Sequence, residues 1–169
     1  MDSLLDKLQY VHHRPSWDEY FIELTHTVAK RATCDRGRSG CVIAHGKHIA
    51  TTGYVGSPPG MPHCDEVGHQ MKKVVHEDGK ETWHCVRTLH AEQNAILQAA
   101  RNGLSLRGAT LYCKMTPCRV CAMLIVGAGI SRVVCEKKYH AGTESEQILA
   151  NAHVRLEFLN NDIEKYRNQ

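Results

Sequence analysis

Two short stretches, His90-Ala91-Glu92 and Pro117-Cys118-Arg119-Val120-Cys121, each open a helical pattern, and one strand pattern lies between them. Helices alternating with strands imply right-handed crossovers and a partly parallel sheet. Both helix N-termini then point positive partial charge at a common site, which favours thiolates there. Pro117 suits the first turn of a helix, so Cys118 and Cys121 fall one turn apart on the same face. With His90, 28 residues before Cys118, they supply three N/S donors. Three donors leave the fourth position of a tetrahedral zinc open, as a catalytic rather than a structural site requires. Zinc lowers the pKa of a water in that position toward neutrality and so provides a hydroxide nucleophile. Glu92 is placed to reach that water without binding the metal, and its expected role is to move protons.

The rest of the chain supplies the scaffold. Ser16-Trp17-Asp18-Glu19 has capping-box spacing, and a helix is expected from there to about Ala32, with Trp17, Phe21, Leu24 and Val28 as its buried stripe. Cys41–Ala44 and His48–Gly53 read as a hairpin around Gly46-Lys47. Further helices are expected over Ala91–Ala100, Cys118–Ala128 and Glu144–Asn151, and further strands over Ala109–Lys114, Arg132–Glu136 and Val154–Leu159. The final ten residues read as a frayed helix. The expectation is one α/β domain over residues 1–169, its core about 16–159, folded as three α/β/α layers around a five-stranded mixed sheet. Between Ser57 and Arg87 lies a long stretch rich in proline, glycine and histidine. Loops of that length in a compact domain are usually functional or pinned.

Charge and composition narrow the function classes. A net charge of +3 with no run of like charges suits a small anionic ligand and gives no footprint for a nucleic-acid polymer. No apolar stretch is long enough to span a membrane, and the acidic N-terminus lacks the apolar core of a signal peptide. A cytoplasmic, thiol-reducing location is therefore expected. There, eight cysteines beside twelve histidines point to metal before disulfides.

The ordered pair H-x-E and P-C-x-x-C is the pattern of the zinc deaminases. A lone C-x-x-C would also serve as a redox pair or a zinc clip, but redox use leaves His90 and Glu92 without a role. Arg31-Ala32-Thr33-Cys34, Gly53-Tyr54-Val55-Gly56, His63 to His69, and Cys85 to Ala95 together resemble the deoxycytidylate (dCMP) deaminases of bacteria and phages, over about Ser16 to Tyr139. The resemblance implies the cytidine deaminase fold and the hydrolysis of dCMP to dUMP and ammonia. It also implies a homo-oligomer, a dimer or hexamer, activated by dCTP and inhibited by dTTP. The family's tetrapeptide is Gly-Tyr-Asn-Gly, whose asparagine hydrogen-bonds the nucleoside sugar; here Val55 stands in its place. The insert around Met71 to Thr82 and the tail beyond Tyr139 depart from the family as well.

Cys34, Cys64, His69 and Cys85 would make a closed, structural zinc site that pins the long loop, and the resembling enzymes often carry a second zinc. His63, His76 and His84 are close enough in sequence to compete as ligands, and Cys34 and Cys85 also read as small core residues. Cys41, Cys113 and Cys135 read as core thiols. For the nucleotide, Val55, Ser57, the Ala91 amide and Tyr139 are candidate contacts. Arg36, Arg38, Arg119, Lys137 and Lys138 are candidates for its phosphate, each equally a solvated surface charge. Competing readings are a deaminase of dCTP, CMP or 5-substituted dCMP, an editor of tRNA or single-stranded DNA, and a silent zinc-binding nucleotide sensor. An editor would want a basic channel lined with aromatics, and a silent sensor would not need Glu92.

Overall fold

The Ser16 hydroxyl accepts the Glu19 amide at 3.3 Å, and the Glu19 carboxylate accepts the Ser16 amide at 2.7 Å. The capping box thus starts helix α1 at Trp17, and it runs to Ala29. Phe21, Ile22 and Thr25 are its buried residues, with Leu24 and Val28 packed partly beneath. Trp17 leaves the expected stripe: it is 48% exposed. It sits in the first turn, where its ring meets Tyr20 and Phe21 of its own helix, with Lys47 5.7 Å from the ring centre.

The computed structural model describes residues 13–75, 79 and 81–164. His76 and the last five residues of the expected terminal helix lie outside them. All five expected strands are present: β1 (Gly40–His45), β2 (His48–Tyr54), β5 (Thr110–Met115), β6 (Arg132–Tyr139) and β7 (Arg155–Phe158). They form a sheet in the order β2-β1-β5-β6-β7. The β1–β2 and β1–β5 pairs are antiparallel, and β5–β6 and β6–β7 are parallel. A two-residue strand, β8 (Ile163–Glu164), pairs with the end of β6 where a frayed helix was expected. Lys114 and Lys137 hold its Glu164 carboxylate at 2.8 and 3.4 Å.

Alternation along the strands divides the core. Cys41, Ile43, Leu111, Cys113, Val133 and Cys135 cluster with Ala91, Ala95 and Ala99 of α3 (Ala91–Arg101), Ala122 and Ile125 of α4 (Arg119–Gly127), and Leu149 of α5 (Thr143–Asn151). Their alternates, Val42, Ala44, Tyr112 and Val134, cluster with Phe21 and Ile22 of α1. Side chains two apart share a sheet face, so this is the three-layer α/β/α arrangement expected. Asp18 ties the α1 layer to the sheet: it accepts two hydrogen bonds from Arg132 at 2.8 Å each and one from the Tyr112 hydroxyl at 3.0 Å.

The long segment expected as a loop has structure of its own. It holds a single helical turn, α2 (Cys64–Val67), and a hairpin of β3 (Met71–Val75) with β4 (Glu81–Cys85), which forms a separate two-stranded sheet. No helix among the described residues is long and apolar enough to cross a membrane.

Candidate active site

The start of α3 lies directly on β2, and Gly53 permits this: a Cβ there would collide with the Ala91 carbonyl and the Ala95 amide. His90 occupies the N-cap of α3 and Cys118 the N-cap of α4. The two crossovers thereby set both helix starts side by side. His90 Nδ1 is 3.5 Å from the Sγ atoms of both Cys118 and Cys121. Tetrahedral zinc with Zn–N near 2.05 Å and Zn–S near 2.3 Å places N and S about 3.5 Å apart. The three donors therefore fit that ion without rearrangement.

The three donors shift one another strongly. The hydrogen bond to Cys118 raises the His90 imidazole to about 9 against the opposing effect of burial. Hydrogen bonding from Cys121, followed by the His90 contacts, lowers Cys118 to about 4 although burial opposes it. Cys121 is pushed up by that same partner and by its burial. Glu92 sits beneath, 8% exposed, with Oε2 3.8 Å from the Cys121 sulfur. Burial raises its pKa, with the nearby His90 working the other way. A carboxyl beside the donor triad, shielded from solvent, is a candidate to move protons in the cavity.

His90, Glu92 and Cys118 line a cavity of about 330 Å³, together with Val55, Thr88, Ala91, Thr116 and Tyr139. Ser57 is not among them: its hydroxyl donates to the Pro62 carbonyl at 2.8 Å. Of the cations considered for a phosphate, Arg36 lines this cavity. Arg119 pairs with Glu144 at 2.6 Å, Lys137 with Glu164, and Lys138 stands over the Phe158 ring. Arg38 lines a smaller hollow beside Cys64 and His69. Val55 is held on both sides: its amide donates to the Ser39 carbonyl and its carbonyl accepts the Thr33 amide. The Asn94 side-chain amide donates to the Tyr54 carbonyl at 2.8 Å and the Gly56 carbonyl at 3.2 Å, bracketing Val55 from α3. Spacing carried no sign of that clamp, since the partners lie about 40 residues apart.

Cys34, Cys64, His69 and Cys85 converge as a second donor set, with all four ligand atoms within 4.8 Å of one another. Cys64 and Cys85 sulfurs are 3.6 Å apart, and Cys34 Sγ is 3.6 Å from His69 Nδ1. The other ring nitrogen of His69 faces the Asp35 carboxylate at 2.9 Å, the arrangement that fixes a ligating imidazole. His63 instead meets Thr33, and His84 meets Thr82. Burial works to raise the Cys85 thiol, but the amides of Arg87 and Gln70 outweigh it and bring it to about 7. Burial and its sulfur neighbours push Cys64 to about 12.

A family model described as the cytidine and deoxycytidylate deaminase zinc-binding region matches residues 15–137. Deoxycytidylate deaminase of Schizosaccharomyces pombe is 39% identical over 85% of this chain. The chain spans only 44% of that relative's length. Deoxycytidylate deaminase of Mycobacterium phage D29 is 37% identical over 74% of this chain and 98% of its own length. Among solved structures, the dCMP deaminase of cyanophage S-TIM5 in complex with dCMP and dUMP superposes with a TM-score of 0.69. It is 25% identical, and the match covers 88% of this chain and all of that one.

Proposed function

The chain belongs to the cytidine and deoxycytidylate deaminase family, and from that membership we propose that it hydrolyses the exocyclic amine of a cytosine nucleotide, dCMP foremost, giving dUMP and ammonia. The observation that carries the proposal is the His90–Cys118–Cys121 triad, with the buried Glu92 carboxyl beside it at one cavity. The dCMP and dUMP in the complex of the cyanophage enzyme support the choice of nucleotide.

His90, Cys118 and Cys121 would hold a zinc ion, which when bound would activate a water for attack on the base. Glu92 takes a proton from that water and returns it to the ring nitrogen of the base. It then carries the second proton to the departing amine, so that ammonia leaves and the carboxylate is regenerated. The Ala91 amide, at the first turn of α3, is placed to donate to the pyrimidine carbonyl. The second donor set would hold a structural zinc, making two ions per chain. From the resemblance, a homo-oligomer and dCTP and dTTP as effectors belong to the same proposal.

Val55 favours a second substrate reading within this chemistry. Its backbone polar groups are both engaged, so it offers a ligand only an apolar side chain. A 5-substituted dCMP would bring apolar surface that could offset the sugar hydrogen bond which every cytosine nucleotide forgoes at that wall. Ammonia release from dCMP, 5-substituted dCMP, dCTP, CMP, deoxycytidine and oligonucleotides, compared as kcat/KM, tests the proposal. A cytosine mononucleotide should lead the panel. Turnover confined to oligonucleotides would overturn it in favour of an editing enzyme.

A further inference from the structure

Two segments far apart in sequence, Asp35-Arg36-Gly37 and Trp83-His84, line the cavity. Each adjoins a ligand of the second donor set: the first follows Cys34, and the second precedes Cys85. Cys34 and Cys85 line the cavity themselves, whereas Cys64 and His69 do not. Arg36 Nη2 donates to the Trp83 carbonyl at 2.9 Å, tying one segment to the other. The second cluster therefore adjoins both of these lining segments.

Trp83 is the unexpected component of that lining. It belongs to the β3–β4 hairpin, which pairs with no strand of the main sheet, and it is 51% exposed although its neighbour Thr82 is buried. A strand alternates its faces, so Thr82 takes the inward position and the indole the outward one. Trp83 lines the same cavity as His90, Glu92 and Cys118, and a half-exposed indole there is surface for a planar ligand. Aromatic faces stack on nucleobases whatever the base.

We propose that Trp83 is a specificity-determining residue that packs against the apolar face of the bound nucleotide, and that the Cys34–Cys64–His69–Cys85 cluster keeps it in place. The proposal rests on the nucleotide-deaminase reading and adds a binding role for a hairpin in the part of the chain that departs from the family pattern. It also gives the second cluster a part in affinity besides stability.

The test uses the full zinc-loaded chain with dUMP as a non-reacting probe and dCMP as substrate. Trp17, the other of the two tryptophans, stands on α1 and does not line the cavity. Binding of dUMP should therefore change tryptophan fluorescence in the wild type and cause no change in Trp83→Phe. Trp83→Ala should raise KM for dCMP about tenfold, with the loss falling on KM rather than kcat and both metals retained, while Trp83→Phe recovers most of the affinity. Cys64→Ser should lose one metal and raise KM similarly, and adding Trp83→Ala to it should cost little more, because both changes act through the same wall. An unchanged KM and dUMP affinity in Trp83→Ala, with a wild type that deaminates dCMP, overturns the proposal. So does a Trp83→Ala effect seen only in oligomer size. A wild type that neither binds dUMP nor deaminates any pyrimidine nucleotide removes the functional reading, and this proposal falls with it.

Discussion

Glu92 is a carboxyl in a place where burial opposes its charge, and it faces the donor triad without joining it. Glu92→Gln keeps the side chain's shape and removes its ability to exchange protons. The variant should retain its metal and its Tm and lose turnover by roughly 10²–10⁴-fold, the range that positioned acid–base groups supply. Metal content, thermal melting and single-turnover ammonia release check this together, and near-wild-type turnover would remove the mechanism. Val55 is 8% exposed in the cavity wall, and on the proposed reading it bears on substrate preference rather than on the rate of chemistry. Val55→Asn restores a group able to bond a sugar hydroxyl. It should improve kcat/KM on dCMP relative to 5-substituted dCMP by roughly tenfold, which is what about 1.4 kcal/mol represents. An unchanged ratio would mean that this position does not read the ligand.

At the scale of elements, Asp18 joins α1 to two neighbouring strands through Tyr112 of β5 and Arg132 of β6, while Arg132 also pairs with Glu157 of β7. The Arg132 hydrogen bonds hold the Asp18 carboxyl below its ordinary value of 3.8, against partial burial. A depressed native pKa means stability that is present in full above the ordinary value and lost as pH falls through the native one. Asp18→Asn should lower stability at neutral pH by about 1 kcal/mol, a value reduced for solvent screening. It should also flatten the acid limb of a urea-unfolding series below pH 4. A parallel acid limb in the variant would assign that loss to other carboxyls.

Elements whose formation depends on local pattern were legible in the sequence. The capping box of α1, the short apolar runs of β1 and β5, and the ordered motifs at the starts of α3 and α4 each carry their own signal. The β3–β4 hairpin was not legible, because Lys72, Lys73, Val74 and Val75 are all exposed and no apolar alternation marks a buried face. That hairpin is held by its own ladder, the Lys73–Glu81 pair and the cysteine at its end. Trp17 misled for a related reason: helical period gives the direction of a side chain but not whether a strand lies opposite. Both donor sets were readable as residue types, while Asp35 behind His69 and Asn94 behind Val55 needed coordinates to find.

For the whole molecule, the second donor set draws together residues 34 to 85, and a metal held there would favour the folded chain, which alone assembles the four donors. A fully loaded preparation should contain two zinc ions per chain. Cys64→Ser should lose one of them and lower Tm by about 5 °C or more, roughly 2 kcal/mol for a chain of this size. Cys118→Ser should lose the other, together with all turnover. Metal analysis of active wild-type protein that returns one equivalent would eliminate the structural site.

Cys41, Cys113 and Cys135 face one another in register across three neighbouring strands, each fully buried. On a nascent or denatured chain these thiols compete for soft cations on equal terms with the five that belong to the donor sets. Once β1, β5 and β6 have paired, they are sealed in the interior and the competition ends. The order of strand pairing and metal uptake should therefore matter, because an ion met before the strands pair can be bound by thiols that belong to neither donor set in the folded chain. Zinc supplied early in refolding should therefore trap misligated chains, and zinc supplied late should not.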